Sequence, residues 1–240
     1  MNLARNLRGH IALACSTFLV AVPAHANLVV NGSFESVTAT VTSIFSLAGV
    51  SAWTNSGNAS LSLPEGEALV TPAYTGTLFP NVGLAGPFPP NSPDGGNFVL
   101  SDGDFFNSPI KQTVGGLVAN QRYKLSFYQA LAQDTEPNVT IPGPVTGRWQ
   151  VSFGPDVQLS SFMAANGATP TISPWKQETM VFTAHGASQV LQFLSVGTGD
   201  PPMVALDGIR VTAVPEPGSW LLMGLGGAAL VLALRRRTGT

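Results

Sequence analysis

Alternation of apolar and polar residues dominates the middle of the chain. In Arg122-Tyr123-Lys124-Leu125-Ser126-Phe127-Tyr128, rings and aliphatic groups recur at every second position, the period of a half-buried strand. Trp149 to Phe153 repeats the pattern before the turn Gly154-Pro155-Asp156, and Trp175 to Thr183, Ser188 to Val196 and Val204 to Val214 continue it. Shorter strands are predicted over 28–30, 66–70, 97–101 and 110–114. No segment between the two ends sustains a capped helical period. Strands punctuated by Gly, Pro, Asn and Asp predict an all-β domain, an antiparallel β-sandwich. Residues 36–92 are the least regular, with 83–93 reading as a long loop. This stretch elaborates the sandwich edge rather than forming a second domain.

Both ends abandon the alternation for continuous apolar runs. At the start, Arg5 and Arg8 precede an apolar run from Ile11 to Val22, and Pro23-Ala24-His25-Ala26 supplies the small-x-small pattern with Ala24 and Ala26. This is the layout of a secretory signal peptide over 1–26, cleaved after Ala26 by signal peptidase after passage through the Sec translocon. At the other end, the 17 residues from Gly218 to Leu234 carry no charge. That length is at the lower limit for a helix crossing a bilayer core of ~30 Å. Trp220 falls at the expected interface, and Arg235, Arg236 and Arg237 form a membrane stop on the cytoplasmic side. The division is therefore 1–26 signal peptide, 27–213 sandwich, and 214–240 tail with a transmembrane helix over about 218–234.

The tail carries a resemblance. Val214-Pro215-Glu216-Pro217, an apolar helix and a terminal Arg cluster, in that order, resemble the PEP-CTERM protein-sorting signal of Gram-negative bacteria. The resemblance implies an exported substrate of an exosortase-type membrane enzyme, held in the inner membrane with its domain on the periplasmic side. Processing would then send it to the cell surface or extracellular matrix, in organisms that make exopolysaccharide and biofilm matrix. The two prolines lack N–H donors and keep Val214 to Pro217 extended, a form that a protease can bind.

Charge separates the ends from the domain. Residues 27–213 hold six basic side chains against twelve carboxylates, while the five other arginines all lie in the termini. So acidic a domain lacks the electrostatic footprint of a nucleic-acid binder. Cys15, the sole cysteine, falls within the signal peptide, so disulfides and cysteine metal sites are excluded from the exported part. His185 is its one histidine, in the turn 184–187, and zinc sites of the usual type cannot be assembled.

A second resemblance covers most of 27–214. Asn27 to Glu35 is similar to the first strand of galactose-binding-like jelly rolls, including many carbohydrate-binding modules, and Leu206-Asp207-Gly208-Ile209-Arg210-Val211 to their closing strand. The segments 95–100 and 123–127, with Trp175 ahead of a strand, fit the same pattern. That resemblance implies a jelly roll whose first and last strands are tied by a structural Ca²⁺, with Glu35 and Asp207 as oxygen ligands. Among the aromatic residues, Trp53 sits in a loop-like stretch and is the candidate for stacking on a sugar. Trp149 and Trp175 open alternating strands and read as core.

The leading expectation is a non-enzymatic surface or matrix protein, binding exopolysaccharide through its domain. The competing class is a glycoside hydrolase using paired carboxylates, with Asp102 and Asp104, or Asp134 and Glu136, as candidates. No Gly-x-Ser-x-Gly elbow supports a Ser-His-Asp triad, and an acidic turn is the reading given to Asp102-Gly103-Asp104.

Overall fold

The computed structural model describes residues 26–37, 50–55, 67–70, 77–79, 82–83, 92–104, 108–133, 144–165, 173–199, 202–215 and 224–231. Thirteen strands are described. The first four are short: β1 (Thr54–Asn55), β2 (Glu67–Val70), β3 (Thr77–Phe79) and β4 (Val82–Gly83). Then come β5 (Phe98–Asp102), β6 (Ile110–Gly115), β7 (Arg122–Gln133), β8 (Val145–Phe153), β9 (Asp156–Leu159) and β10 (Met163–Ala165). The last three are β11 (Lys176–Thr183), β12 (Ser188–Thr198) and β13 (Pro202–Ala213).

Two antiparallel sheets pack face to face. The first runs β1-β6-β12-β8-β10, with β9 also paired to β8, and the second runs β11-β7-β13-β5-β2. Along the chain β5, β7, β11 and β13 lie in the second sheet, while β6, β8 and β12 lie in the first. The chain thus crosses repeatedly between layers, the winding of a jelly roll. The fold expected from the alternation is the fold observed.

Alternation becomes layering because successive side chains point to opposite faces. In β8, Val145, Gly147, Trp149, Val151 and Phe153 are buried, and the residues between them are partly exposed. The inward rings of both sheets meet at Phe193, whose centroid lies 5.2 Å from Phe127, 6.0 Å from Trp149 and 6.4 Å from Trp53. Polar bonds also cross the interior. Trp149 Nε1 donates to the Ala205 carbonyl at 3.0 Å, and the Ser101 and Ser195 hydroxyls meet at 2.6 Å. Each satisfies a group whose burial would otherwise be costly.

Two expectations change. Residues 28–30 form no ladder strand. Instead the Leu28 N–H donates to the Val211 carbonyl at 2.9 Å, and the Gln112 side chain brackets Val30. Its Oε1 accepts from Val30 N–H at 2.9 Å and its Nε2 donates to Val30 O at 2.8 Å. One glutamine amide thus stands in for a neighbouring strand.

Trp53 is not a surface residue. It is 3% exposed, tilted against Phe34 at 5.4 Å, and its indole N–H donates to the Asn31 carbonyl at 2.8 Å. Ala52, with φ of 70°, turns the ring inward, so a segment that reads as loop still delivers a core side chain.

In the tail, a helix covers residues 224–231 and is exposed along its length. At 1.5 Å per residue it extends roughly 12 Å. No helix among the described residues is long and apolar enough to cross a membrane. The rest of the span expected over 218–234 lies outside the described residues.

Candidate functional site

The sorting segment begins where the sandwich's hydrogen bonding ends. Val214 N–H donates to the Arg122 carbonyl at 2.9 Å, and Pro215 has no N–H with which to continue the ladder. A cavity of about 320 Å³ opens beside this exit, lined by Lys124, Thr212, Ala213, Val214 and Pro215. Glu216, Pro217 and Arg235 to Arg237 lie outside the described residues, as does Ala24. Ala26 is exposed, and Asn27 beside it is pinned to the last strand. The Asn27 carboxamide accepts from Val211 N–H at 2.9 Å and donates to the Ile209 carbonyl at 3.3 Å.

The two carboxylates expected to hold a cation converge on one bulge. Pairing of β13 with β7 shifts register between Asp207 and Arg210, and Gly208 adopts a φ of 60° there. A bulge re-aims the side chains beside it. Asp207 is completely buried, and neither carboxylate oxygen has a hydrogen-bond partner. Burial pushes its pKa up to about 7; Ser92 and the Gly208 N–H oppose this without reaching bonding geometry, and the Asp94 and Glu35 charges add to it. Glu35 reaches the same region across the turn at 94–97, where its Oε1 accepts from Asn97 N–H at 2.6 Å. Any Cβ at Gly96 would overlap that carboxylate, so the glycine is what admits it. Asp94 is instead turned to Arg210, with Oδ1 accepting from Nη2 at 2.7 Å.

An orphaned, buried carboxylate beside a second one suits a hard cation that takes oxygen ligands. Among the described residues no three His, Cys, Asp or Glu side chains converge on one point. Backbone carbonyls would therefore have to complete the shell.

The outer face of the first sheet combines apolar, amide and basic side chains in register. Register aligns Lys111, Gln192, Ser152 and Val157 in one row across β6, β12, β8 and β9. Leu194, Gln150 and Leu159 form a second row, and Val196 and Arg148 a third. Val157, Leu159 and the nearby Phe162 are 55%, 49% and 59% exposed. The Arg148 guanidinium lies 5.3 Å from the Phe162 ring centroid, a cation–π distance. Its Nε is buried without a partner. This mixture of exposed apolar surface, amides and an aromatic ring was not singled out from sequence. The signal was present, in polar residues set between the buried positions of β8 and β12, but it requires the register to assemble.

The candidates for catalysis are dispersed. Asp102 is buried, and its Oδ1 accepts from the Asp104 N–H at 2.9 Å, so the acidic turn is half interior rather than wholly solvated. Asp134 and Glu136 lie outside the described residues. His185 Nε2 stands 3.1 Å from Asp156 Oδ2, both side chains well exposed. Glu178 accepts from the Ser161 hydroxyl and lies 3.2 Å from Lys176 Nζ. Burial raises its pKa, but the Ser161 hydroxyl and N–H, then Lys176, outweigh that and lower it. This group braces the segment after β9 against β11.

Comparison with protein-family models decides the tail. Residues 213–237 match the PEP-CTERM protein-sorting motif. The chain carries a PEP-CTERM sorting signal. The motif implies export, membrane-associated sorting and an exosortase-type processing partner. A comparison with curated proteins finds no match.

Among solved structures, the carbohydrate-binding module TmCBM61, solved with β-1,4-galactotriose, aligns at 16% identity and TM-score 0.45, covering 79% of this chain and 99% of its own. The K2 cleaved adhesin domain of Lys-gingipain aligns at 15% identity and TM-score 0.42, with coverages of 77% and 97%. The xylan-binding domain CBM22-1 of Xyn10C from Paenibacillus barcinonensis gives 15% and 0.39, with coverages of 82% and 99%. Carbohydrate-binding-module jelly rolls are thus among the structural neighbours of this chain.

Proposed function

We propose that this PEP-CTERM protein is a non-catalytic polysaccharide-binding domain delivered to the cell surface or extracellular matrix. The Sec translocon exports it, and signal peptidase cleaves after Ala26. The segment over 218–234 holds it in the inner membrane, with Arg235 to Arg237 on the cytoplasmic side. An exosortase-type enzyme then processes Val214 to Pro217 and releases the domain to a Gram-negative cell's exopolysaccharide or biofilm matrix. The observation that carries the sorting half is the end of the ladder at Val214, just inside the matched motif, where Pro215 has no N–H to continue it. The binding half is supported by the exposed rows on the first sheet, where apolar patches beside amides suit sugar faces and hydroxyls.

A structural Ca²⁺ belongs to the same reading. Glu35 and Asp207 would hold it with backbone carbonyls, and its charge would neutralise the buried Asp207 carboxylate. A non-catalytic role is favoured by Asp102, which is buried and bound to its own turn.

Mass spectrometry of the mature protein tests the sorting half. In a host with the processing enzyme, the expected product lacks Arg235 to Arg237, and alanines at Pro215, Glu216 and Pro217 preserve the tail. An intact C-terminus in the unaltered chain would sink the idea. A glycan array with the full chain in detergent tests the binding half, which fails if no sugar is retained.

A further inference from the structure

Among the described residues, the outer face of the first sheet carries charge of one sign, in a domain of the opposite net sign. Residues 27–213 have twice as many carboxylates as basic groups. Yet the described side chains of that face include Arg148 and Lys111 and no carboxylate. The described acidic groups are held elsewhere. Asp102 and Asp207 lie on β5 and β13 and Glu178 on β11, all in the second sheet. Glu35 and Asp94 stand beside Asp207, Asp104 follows β5, and Asp156 faces His185.

Arg148 occupies a protected position on this face. Val196 lies opposite it on β12, Phe162 covers it from one side, and Gln150 follows two residues along the same strand. Its Nε–H is buried and makes no hydrogen bond. A buried donor without an acceptor costs free energy unless a ligand supplies one, and a guanidinium is shaped to take a carboxylate with two parallel bonds. Lys111 lies two strands and four residues away, roughly 16 Å by ordinary sheet spacings. Gln192 and Gln150 stand between the two cations. That distance is several sugar rings, so one face offers two cationic points separated by amides and apolar patches.

We infer that the ligand of this face is an acidic polysaccharide, bound by pairing of a uronate carboxylate with Arg148 over the Phe162 ring. The inference rests on the polysaccharide-binding reading above and specifies its substrate class. Carboxylate on the polymer completes the hydrogen bonding of Arg148, the ring packs against the adjoining sugar, and the amides address hydroxyls. A neutral glycan offers Arg148 only uncharged hydroxyl oxygens, without the charge and the two parallel bonds of a carboxylate.

The test uses the full chain in detergent and three polymers: polygalacturonate, the same polymer with its carboxylates reduced to alcohols, and polyglutamate as a polyanion without sugar rings. Affinity electrophoresis or calorimetry should show polygalacturonate bound most tightly. Arg148→Gln should weaken that binding about tenfold or more while leaving any binding of the reduced polymer unchanged. Arg148→Lys should recover part of the affinity, and Phe162→Ala should weaken both sugar polymers. Melting temperatures of the variants within a few degrees of the parent show that the sandwich persists. Equal binding of the reduced polymer, or no effect of Arg148→Gln, overturns the acidic specificity while the glycan reading stands. Equal retention of polyglutamate also overturns it. Binding of neither sugar polymer also overturns the acidic specificity, and the glycan array then decides the polysaccharide reading.

Discussion

The two sheets of the sandwich treat their outer faces in opposite ways. In the first sheet, β8 alternates strictly between buried and partly exposed residues, and Val157 and Leu159 on β9 stand open to solvent. In the second, every residue of β5 is buried and so are the first eight of β13. Phe98, Leu100, Ala130, Ala132, Met203 and Ala205 form a core cluster of their own there, with Trp175 packed edge-on against Phe98 at 5.3 Å. An antiparallel sheet needs only one covered face to be stable. Over β5 and most of β13 the second sheet therefore has both faces committed to packing, while β11 and the start of β7 alternate as β8 does. The first sheet has kept a face for contact. The acidic side chains largely follow the same partition: the described ones belong to the second sheet or to loops, apart from Asp156 at the start of β9, which pairs with the inward Phe153.

The sharpest way to break this comparison is at the shared interior. Phe193→Ala removes a ring that touches aromatic partners from both sheets and should cost about 3–5 kcal/mol in urea unfolding. A loss below 1 kcal/mol would mean the sheets are not joined there.

Next is the buried carboxylate. With calcium chelated, Asp207 keeps its proton up to about pH 7 when folded, against the ordinary aspartate value of 3.8. As pH rises between those values, the unfolded chain releases this proton and the folded chain does not. Stability attributable to Asp207 therefore falls across that window, by at most about 4 kcal/mol, and then levels off. Asp207→Asn should abolish this part of the slope, and added Ca²⁺ should raise the melting temperature of the parent but not of the variant. Identical pH profiles for parent and variant would refute the first expectation, and no response of the parent to chelator would refute the second.

The smallest effect sharpens the contrast between the two outer faces. Leu100→Ala, on the covered face, should cost about 2–4 kcal/mol, whereas Leu159→Ala, on the open one, should stay within about 0.5 kcal/mol. Equal costs would mean that both faces are packed alike.

Much of the architecture was legible because burial imposes period two. Arg122 to Tyr128 and Trp149 to Phe153 revealed their strands directly, although β7 and β8 extend well beyond those segments. Residues 28–30 looked equally strand-like, but a Gln112 side chain took the place of their partner, which no local pattern reveals. Trp53 misled because its neighbours resemble a loop, and the residue in left-handed conformation before it is an alanine rather than a glycine. The open face was invisible for another reason. Arg148, Gln150, Gln192 and Lys111 come from three strands, and only the register brings them together. By contrast, the tail declared itself because its parts are contiguous in sequence.

β13 is the central strand of its sheet, hydrogen-bonded to β7 on one side and β5 on the other, and the sorting tail leaves directly from its end. Tension between a tethered tail and a polymer gripped on the opposite sheet would run along this strand's axis. Its ladder bonds on both sides would then be loaded together in shear rather than opened one after another. The strand that carries the tail is thus held along both of its edges.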